Sequence, residues 1–270
     1  MKKLIIVGLV SVLILITGCS SKKDISLNPS KLGSDKAIYE RAVKIGKKDY
    51  EKSRLLFKEI LQLYPDSIYA KKAKIGIADS YFKQRDSSSL LIAASEYQEF
   101  VNLYPNSPDS IYAKFQIGKC YEKQSKSAGR DQTNTKLAIT AYEKLQKLFP
   151  GTEESDKAET IIKKLKNRLG THYFRIGMSN FRLKAYKGAI SRFKEVIDNY
   201  PQFTKFDKLY YYTGVCYKKI DKTDSAISFF QKIINSYPKS KYINKAKKLI
   251  RRIMNKKKSE KKDKPEKKES

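Results

Sequence analysis

The chain has 270 residues, 40% of them hydrophobic, and 58 Lys and Arg against 28 Asp and Glu give it a net charge of +30. Three cysteines and one histidine leave too little for a disulfide scaffold or a multi-histidine metal centre. So much positive charge would suggest nucleic acid in a cytosolic chain, but no nucleic-acid motif is present and the first residues read as an export signal.

Residues 1–18 have the order of a bacterial lipoprotein signal peptide. Lys2 and Lys3 form the charged start, Leu4 to Ile16 the apolar stretch, and Thr17-Gly18 the small residues before Cys19. The apolar stretch is too short to span a membrane as a mature helix. Cys19 is the expected lipidation site, since acyl chains bury at ~0.8 kcal/mol per CH₂ and more than one gives stable anchoring. Ser20 follows Cys19; by resemblance to lipoproteins of double-membraned bacteria this favours the outer membrane. Residues 19–34 are polar, with Pro29 and Gly33, and read as a flexible tether.

Residues 35–254 hold an internal repeat. An aromatic–proline pair recurs at Tyr64-Pro65, Tyr104-Pro105, Phe149-Pro150, Tyr200-Pro201 and Tyr237-Pro238. Twelve residues before each proline stands a small residue: Ser53, Ala93, Ala138, Ala189 or Ala226. Eight before it stands an aromatic: Phe57, Tyr97, Tyr142, Phe193 or Phe230. Five before it stands a further apolar residue: Ile60, Phe100, Leu145, Val196 or Ile233. Steps of three and four keep these on one helix face, and the proline ends the helix. Gly177 and Gly214 lie twelve residues before Ala189 and Ala226 on partner helices upstream. The pattern resembles the tetratricopeptide repeat, a helix pair of about 34 residues. The predicted fold is all-α: a superhelix of about five helix pairs with a C-terminal capping helix.

The spacing departs from the consensus in informative places. The second repeat has three extra residues in its turn, around Asp86-Ser87-Ser88-Ser89, and the third has a longer insert from Gln124 to Thr133. Seventeen extra residues between Pro150 and Gly177 predict one long helix from about Glu153 into the 180s, unless Gly170 interrupts it. Ser67, Ser107, Thr152 and Ser240 follow four of the five prolines and are expected N-caps. Cys120 and Cys216 occupy equivalent positions two repeats apart, further than the ~7 Å a disulfide allows, so both are expected as buried free thiols. After a capping helix ending near Met254, residues 255–270 hold eight Lys against four acids and no large apolar residue, and read as disordered.

No catalytic motif is present, and no metal or cofactor is expected. His172 reads as structural, and Glu153-Glu154 as the favourable start of a helix. What remains is a binding surface. Tyr39, Ile75, Phe115, Phe174 and Tyr211 fall at the groove position of their first helices, joined by Phe82 and Phe181; they suit either capture of peptide segments or packing on the next repeat.

Several stretches resemble the BamD (ComL) family of outer-membrane assembly lipoproteins. They are Phe100-Val101-Asn102-Leu103-Tyr104-Pro105-Asn106-Ser107; Arg130-Asp131-Gln132-Thr133; Lys163 to Phe181; and Ala189-Ile190-Ser191-Arg192-Phe193 with Tyr200-Pro201. The resemblance spans about residues 33 to 250 and implies a non-enzymatic part of the machinery (the BAM complex) that inserts β-barrel proteins into the outer membrane. It implies that Tyr39, Lys72, Phe82, Tyr112 and Phe115 face unfolded outer-membrane protein precursors. It implies that Arg192 faces the periplasmic POTRA domains of the barrel component BamA, with no nucleic-acid partner. The chain would be lipid-anchored on the periplasmic face of the outer membrane. The alternatives are a scaffold for another envelope machine, of the pilus or secretin pilot type, and an accessory to a cell-wall enzyme.

Overall fold

The computed structural model describes residues 33–262, and every regular element among them is an α-helix. The helices are α1 (Asp35–Ile45), α2 (Tyr50–Leu63), α3 (Ile68–Gln84), α4 (Ser87–Leu103), α5 (Asp109–Gln124), α6 (Thr133–Leu148), α7 (Glu153–Arg182), α8 (Tyr186–Asn199), α9 (Phe206–Lys219), α10 (Thr223–Ser236) and α11 (Ile243–Lys262). Each packs on the next along the chain, so the core runs as a row of local clusters rather than one centre. The expectations for the signal peptide, Cys19 and the tether up to Leu32, and for residues 263–270, lie outside the described residues. No described helix is long and apolar enough to cross a membrane.

The repeated triplets form that core. All fifteen residues of the pattern, from Ser53, Phe57 and Ile60 to Ala226, Phe230 and Ile233, are buried. In four of the five repeats the aromatic of the second helix lies against a glycine of a first helix. A Cβ on Gly118 would come within 2.5 Å of the Tyr142 ring, one on Gly177 within 2.4 Å of Phe193, and one on Gly214 within 2.6 Å of Phe230. In these three repeats the ring fills the space inside its own helix pair. Phe57 is turned the other way: it lies 2.6 Å from a Cβ placed on Gly76 of the following repeat. Helix axes can approach this closely only where one partner lacks a side chain.

The aromatic–proline junctions close each repeat in the same way. Tyr64, Tyr104, Phe149, Tyr200 and Tyr237 each donate a backbone N–H to the carbonyl four residues back, and the chain then turns. Ser67 and Thr152 cap α3 and α7 through their side chains. Ser107 accepts from the Asp109 N–H at 3.3 Å, and Ser240 from the Tyr242 N–H at 3.1 Å. Ser67 and Ser240 also donate to Asp35 and Asp207, at the starts of the preceding first helices. The Ser67 hydroxyl therefore caps one helix and ties it to the repeat before, and Ser240 makes the same tie just ahead of α11.

The inserts are resolved by the packing. α7 runs unbroken for 30 residues, ~45 Å. Gly170 does not interrupt it; a Cβ there would stand 3.1 Å from Phe203 and 3.2 Å from Tyr200, so the glycine admits the irregular fourth junction against the helix. Phe203 is buried against Phe174 and Phe206. Asp86 caps α4 and Ser87 to Ser89 form its first turn, so the extra residues of the second repeat lengthen a helix rather than a loop. The third insert is a fixed loop. The Gln132 amide donates to the Ser127, Arg130 and Asp131 carbonyls, and His172 of α7 holds the Ala128 carbonyl at 2.9 Å.

The C-terminal expectation needs correction. α11 continues to Lys262, eight residues past Met254, where disorder was expected from Asn255. Tyr242, just before α11, and the helix's own Ala246 and Ile253 pack against the fifth repeat, and Lys257, one turn past Met254, reaches Asp224 at the start of α10.

Cys120 and Cys216 are both free and buried, and burial pushes each thiol up to about 12. Neither should react with Ellman's reagent at mildly alkaline pH until the chain unfolds; rapid modification of the native protein would contradict this packing. Phe193→Ala should destabilise by ~3–5 kcal/mol. Gly177→Ala should destabilise the parent but cost far less in the Phe193→Ala background, which a double-mutant cycle in urea would measure.

Candidate functional site

A cleft of about 470 Å³ lies at the N-terminal end between α1, α2 and α3. One wall is aromatic. Tyr39 of α1 lies 5.7 Å from the Phe57 ring and 5.3 Å from Tyr69, and the Lys72 ammonium stands 5.3 Å over Tyr69. Burial raises the Tyr39 pKa above the usual tyrosine value, so its phenol is neutral and offers one donor beside an apolar ring. Lys47, Lys72 and Lys83 give the rim positive charge, and Asp79 stands among them.

Asp79 joins the cleft to the second and third repeats. One of its oxygens accepts from both the Tyr97 and Tyr112 hydroxyls, the latter at 2.8 Å. Tyr97 is fully buried on α4 and Tyr112 half-buried on α5, with their rings edge to face at 6.2 Å. Burial, reinforced by the Asp79 charge, raises both phenols well above the ordinary value. One carboxylate thus connects three helices.

The structure brings Tyr39 and Lys72 together in the cleft, and joins Tyr112 to it through Asp79. Phe82 and Phe115 do not share that surface. Phe82 is half-buried in the cluster of the second repeat, with the Lys123 ammonium 5.4 Å from its ring. Phe115 is 9% exposed and packs on Tyr142 at 5.5 Å, so of the two roles open to it, packing on a neighbouring helix is the one it fills. Phe174 is buried likewise. Arg192 stands apart on α8, exposed, and pairs with Glu195 of its own helix at 3.0 Å. A surface pair of this kind contributes little, which leaves the guanidinium available to another carboxylate.

Sequence reasoning overlooked Asp79. Its signal was there: the ring position carries Tyr rather than Phe in the second and third repeats, and a buried hydroxyl needs a partner. Tyr97 finds Asp79 and Tyr142 finds Glu122, at 3.1 Å. No group of His, Cys, Asp and Glu among the described residues could hold a metal ion.

A linear stack of helix pairs with an aromatic, charge-rimmed cleft at one end defines a tetratricopeptide-repeat protein, and residues 208–240 match a tetratricopeptide repeat model directly. Residues 32–219 match the family model described as YfiO, outer membrane lipoprotein. The chain belongs to this family, the BamD family of outer membrane lipoproteins. It is 28% identical over 205 residues to the outer membrane protein assembly factor BamD of Rickettsia prowazekii, covering 73% of this chain and 74% of that protein. It is 22% identical over 198 residues to BamD of Neisseria gonorrhoeae, covering 70% and 73%. It is 22% identical over 213 residues to BamD of Haemophilus influenzae, covering 74% and 78%.

Tyr97 and Tyr112 supply a pH test. Their folded-state pKa values lie above the unfolded value near ~10, so their contribution to stability is complete below that pH and is lost as pH rises beyond it. Absorbance titration should show both phenols still protonated where exposed tyrosines have ionised. Asp79→Ala should bring the Tyr112 transition down, because the charge opposing ionisation is removed. Ionisation of every tyrosine near the ordinary value in the folded chain would refute the buried network.

Proposed function

We propose that this chain is a non-enzymatic assembly factor for β-barrel proteins of the outer membrane, held at the periplasmic face by lipid on Cys19. The N-terminal cleft around Tyr39, Lys72 and Asp79 receives extended segments of unfolded barrel precursors. The exposed surface around Arg192, on the fourth and fifth repeats, docks on the POTRA domains of a BamA-like barrel protein. The observation that carries the reading is the cleft itself. It offers an apolar aromatic wall, a neutral tyrosine donor and a basic rim, which together suit a chain that alternates apolar and polar side chains. The name shared by the relatives, outer membrane protein assembly factor, supports the same role.

Affinity purification of the tagged, lipidated chain from outer membranes tests the partner. A large barrel protein with repeated POTRA domains should co-purify, and Arg192→Glu should reduce its recovery several-fold while the protein remains folded. Recovery of a secretin or pilus component in its place would assign the fold to a different machine.

A further inference from the structure

The densest charge on the described surface lies away from the cleft, on α11. From Lys245 to Lys258 this helix carries eight basic residues and no acidic one. One side of the helix is accounted for: Ala246, Leu249, Ile250 and Ile253 pack on the fifth repeat. The other side exposes Lys245, Lys247, Lys248, Arg251, Arg252 and Lys258. At 3.6 residues per turn these six spread over about half the circumference of the helix. Elsewhere in the chain, basic residues on helices meet acids one turn away, as Lys157 meets Glu153 and Lys163 meets Glu159, both at 2.6 Å. On α11 Lys257 meets Asp224 of α10, while no ion pair among the described residues reaches the six exposed cations Lys245, Lys247, Lys248, Arg251, Arg252 and Lys258. They instead face one another at i,i+3 and i,i+4 (Lys245 with Lys248, Lys247 with Arg251, Lys248 with Arg252), an arrangement that destabilises a helix.

We propose that α11 is a membrane-contact helix whose basic face rests on anionic phospholipid headgroups. Two features favour lipid over an acidic protein. The charge is spread over a broad arc, suited to a flat, delocalised field of phosphates, and each cation near such a surface adds to the attraction. The face also lacks the aromatic and apolar anchors that dominate protein interfaces; its one large exposed apolar side chain is Met254. Membership of an outer membrane lipoprotein family supplies the membrane. This inference goes beyond the assembly role and does not need the cleft or Arg192.

The test uses the full chain with Cys19→Ser, which removes the lipid anchor and the third thiol, and with Met254→Cys carrying an environment-sensitive fluorophore; Cys120 and Cys216 are buried and should not label. Vesicles of phosphatidylcholine alone are compared with vesicles containing about a third phosphatidylglycerol. The expected result is a blue-shifted emission with the anionic vesicles only, abolished by roughly 0.5 M salt. It should be weakened at least about a hundredfold in lipid concentration when Lys245, Lys247, Lys248, Arg251 and Arg252 are all changed to Gln. Circular dichroism checks that this variant keeps its helices, and the salt response of the parent stands without it. Equal emission with neutral and anionic vesicles, insensitivity to salt, or an unchanged response of the folded five-residue variant would overturn the proposal. So would a shift that requires an added partner protein and ignores phosphatidylglycerol.

Discussion

Everything in this molecule rests on one contact, an aromatic ring seated where a side chain is missing. Tyr142 on Gly118, Phe193 on Gly177 and Phe230 on Gly214 set how near two helices of a pair can come. That separation then decides where the other faces point. The small residue one turn before the ring and the apolar residue one turn after it are carried into the same seam. Because the interior is close-packed, a pair held at this distance fixes the tilt of the next pair, and the stack follows from repetition.

The second and third repeats add a polar requirement at the ring position. Their rings carry hydroxyls, and these must find acceptors once buried. Asp79 meets that need for Tyr97 and then also accepts from Tyr112. The result is a carboxylate held at the wall of the cleft by α4 of its own repeat and α5 of the next. The cleft therefore depends on the packing behind it: its charge is positioned by residues that never touch its contents.

Much of this was legible before any coordinates. The fifteen-residue pattern is periodic, local and redundant, so its burial and the helix-ending role of each proline could be read directly. The 30-residue helix followed from an insert length close to whole turns. What could not be read is where an extra stretch goes. Ser87 to Ser89 were placed in a turn by the excess over the repeat spacing, yet Asp86 caps the helix ahead of them and draws them in. Gly170 looked like a break because glycine weakens helices, yet its purpose lies 30 residues and more downstream, at Tyr200 and Phe203. At the site, Tyr39 was placed by its repeat position and Lys72 by the family resemblance, while Phe115 was open between groove and core. That choice depends on the approach of α6, which no local pattern encodes. The length of α11 was missed for a related reason: low apolar content suggests disorder, but the helix is anchored by packing on another repeat, through Ala246 and Ile253.

The unbroken course of α7 has a mechanical meaning. Its first half packs Ala158, Ile162, Leu165 and Leu169 against the third repeat, and its second half packs Phe174 and Gly177 against the fourth. One continuous backbone hydrogen-bond ladder is thus shared by two repeats that would otherwise meet at a turn. A hinge at that point would have to open the ladder and unseat Phe203 together. Load applied at the C-terminal end of the stack is therefore transmitted as torque along a stiff rod to the end that holds the cleft, rather than dissipated at a joint in the middle.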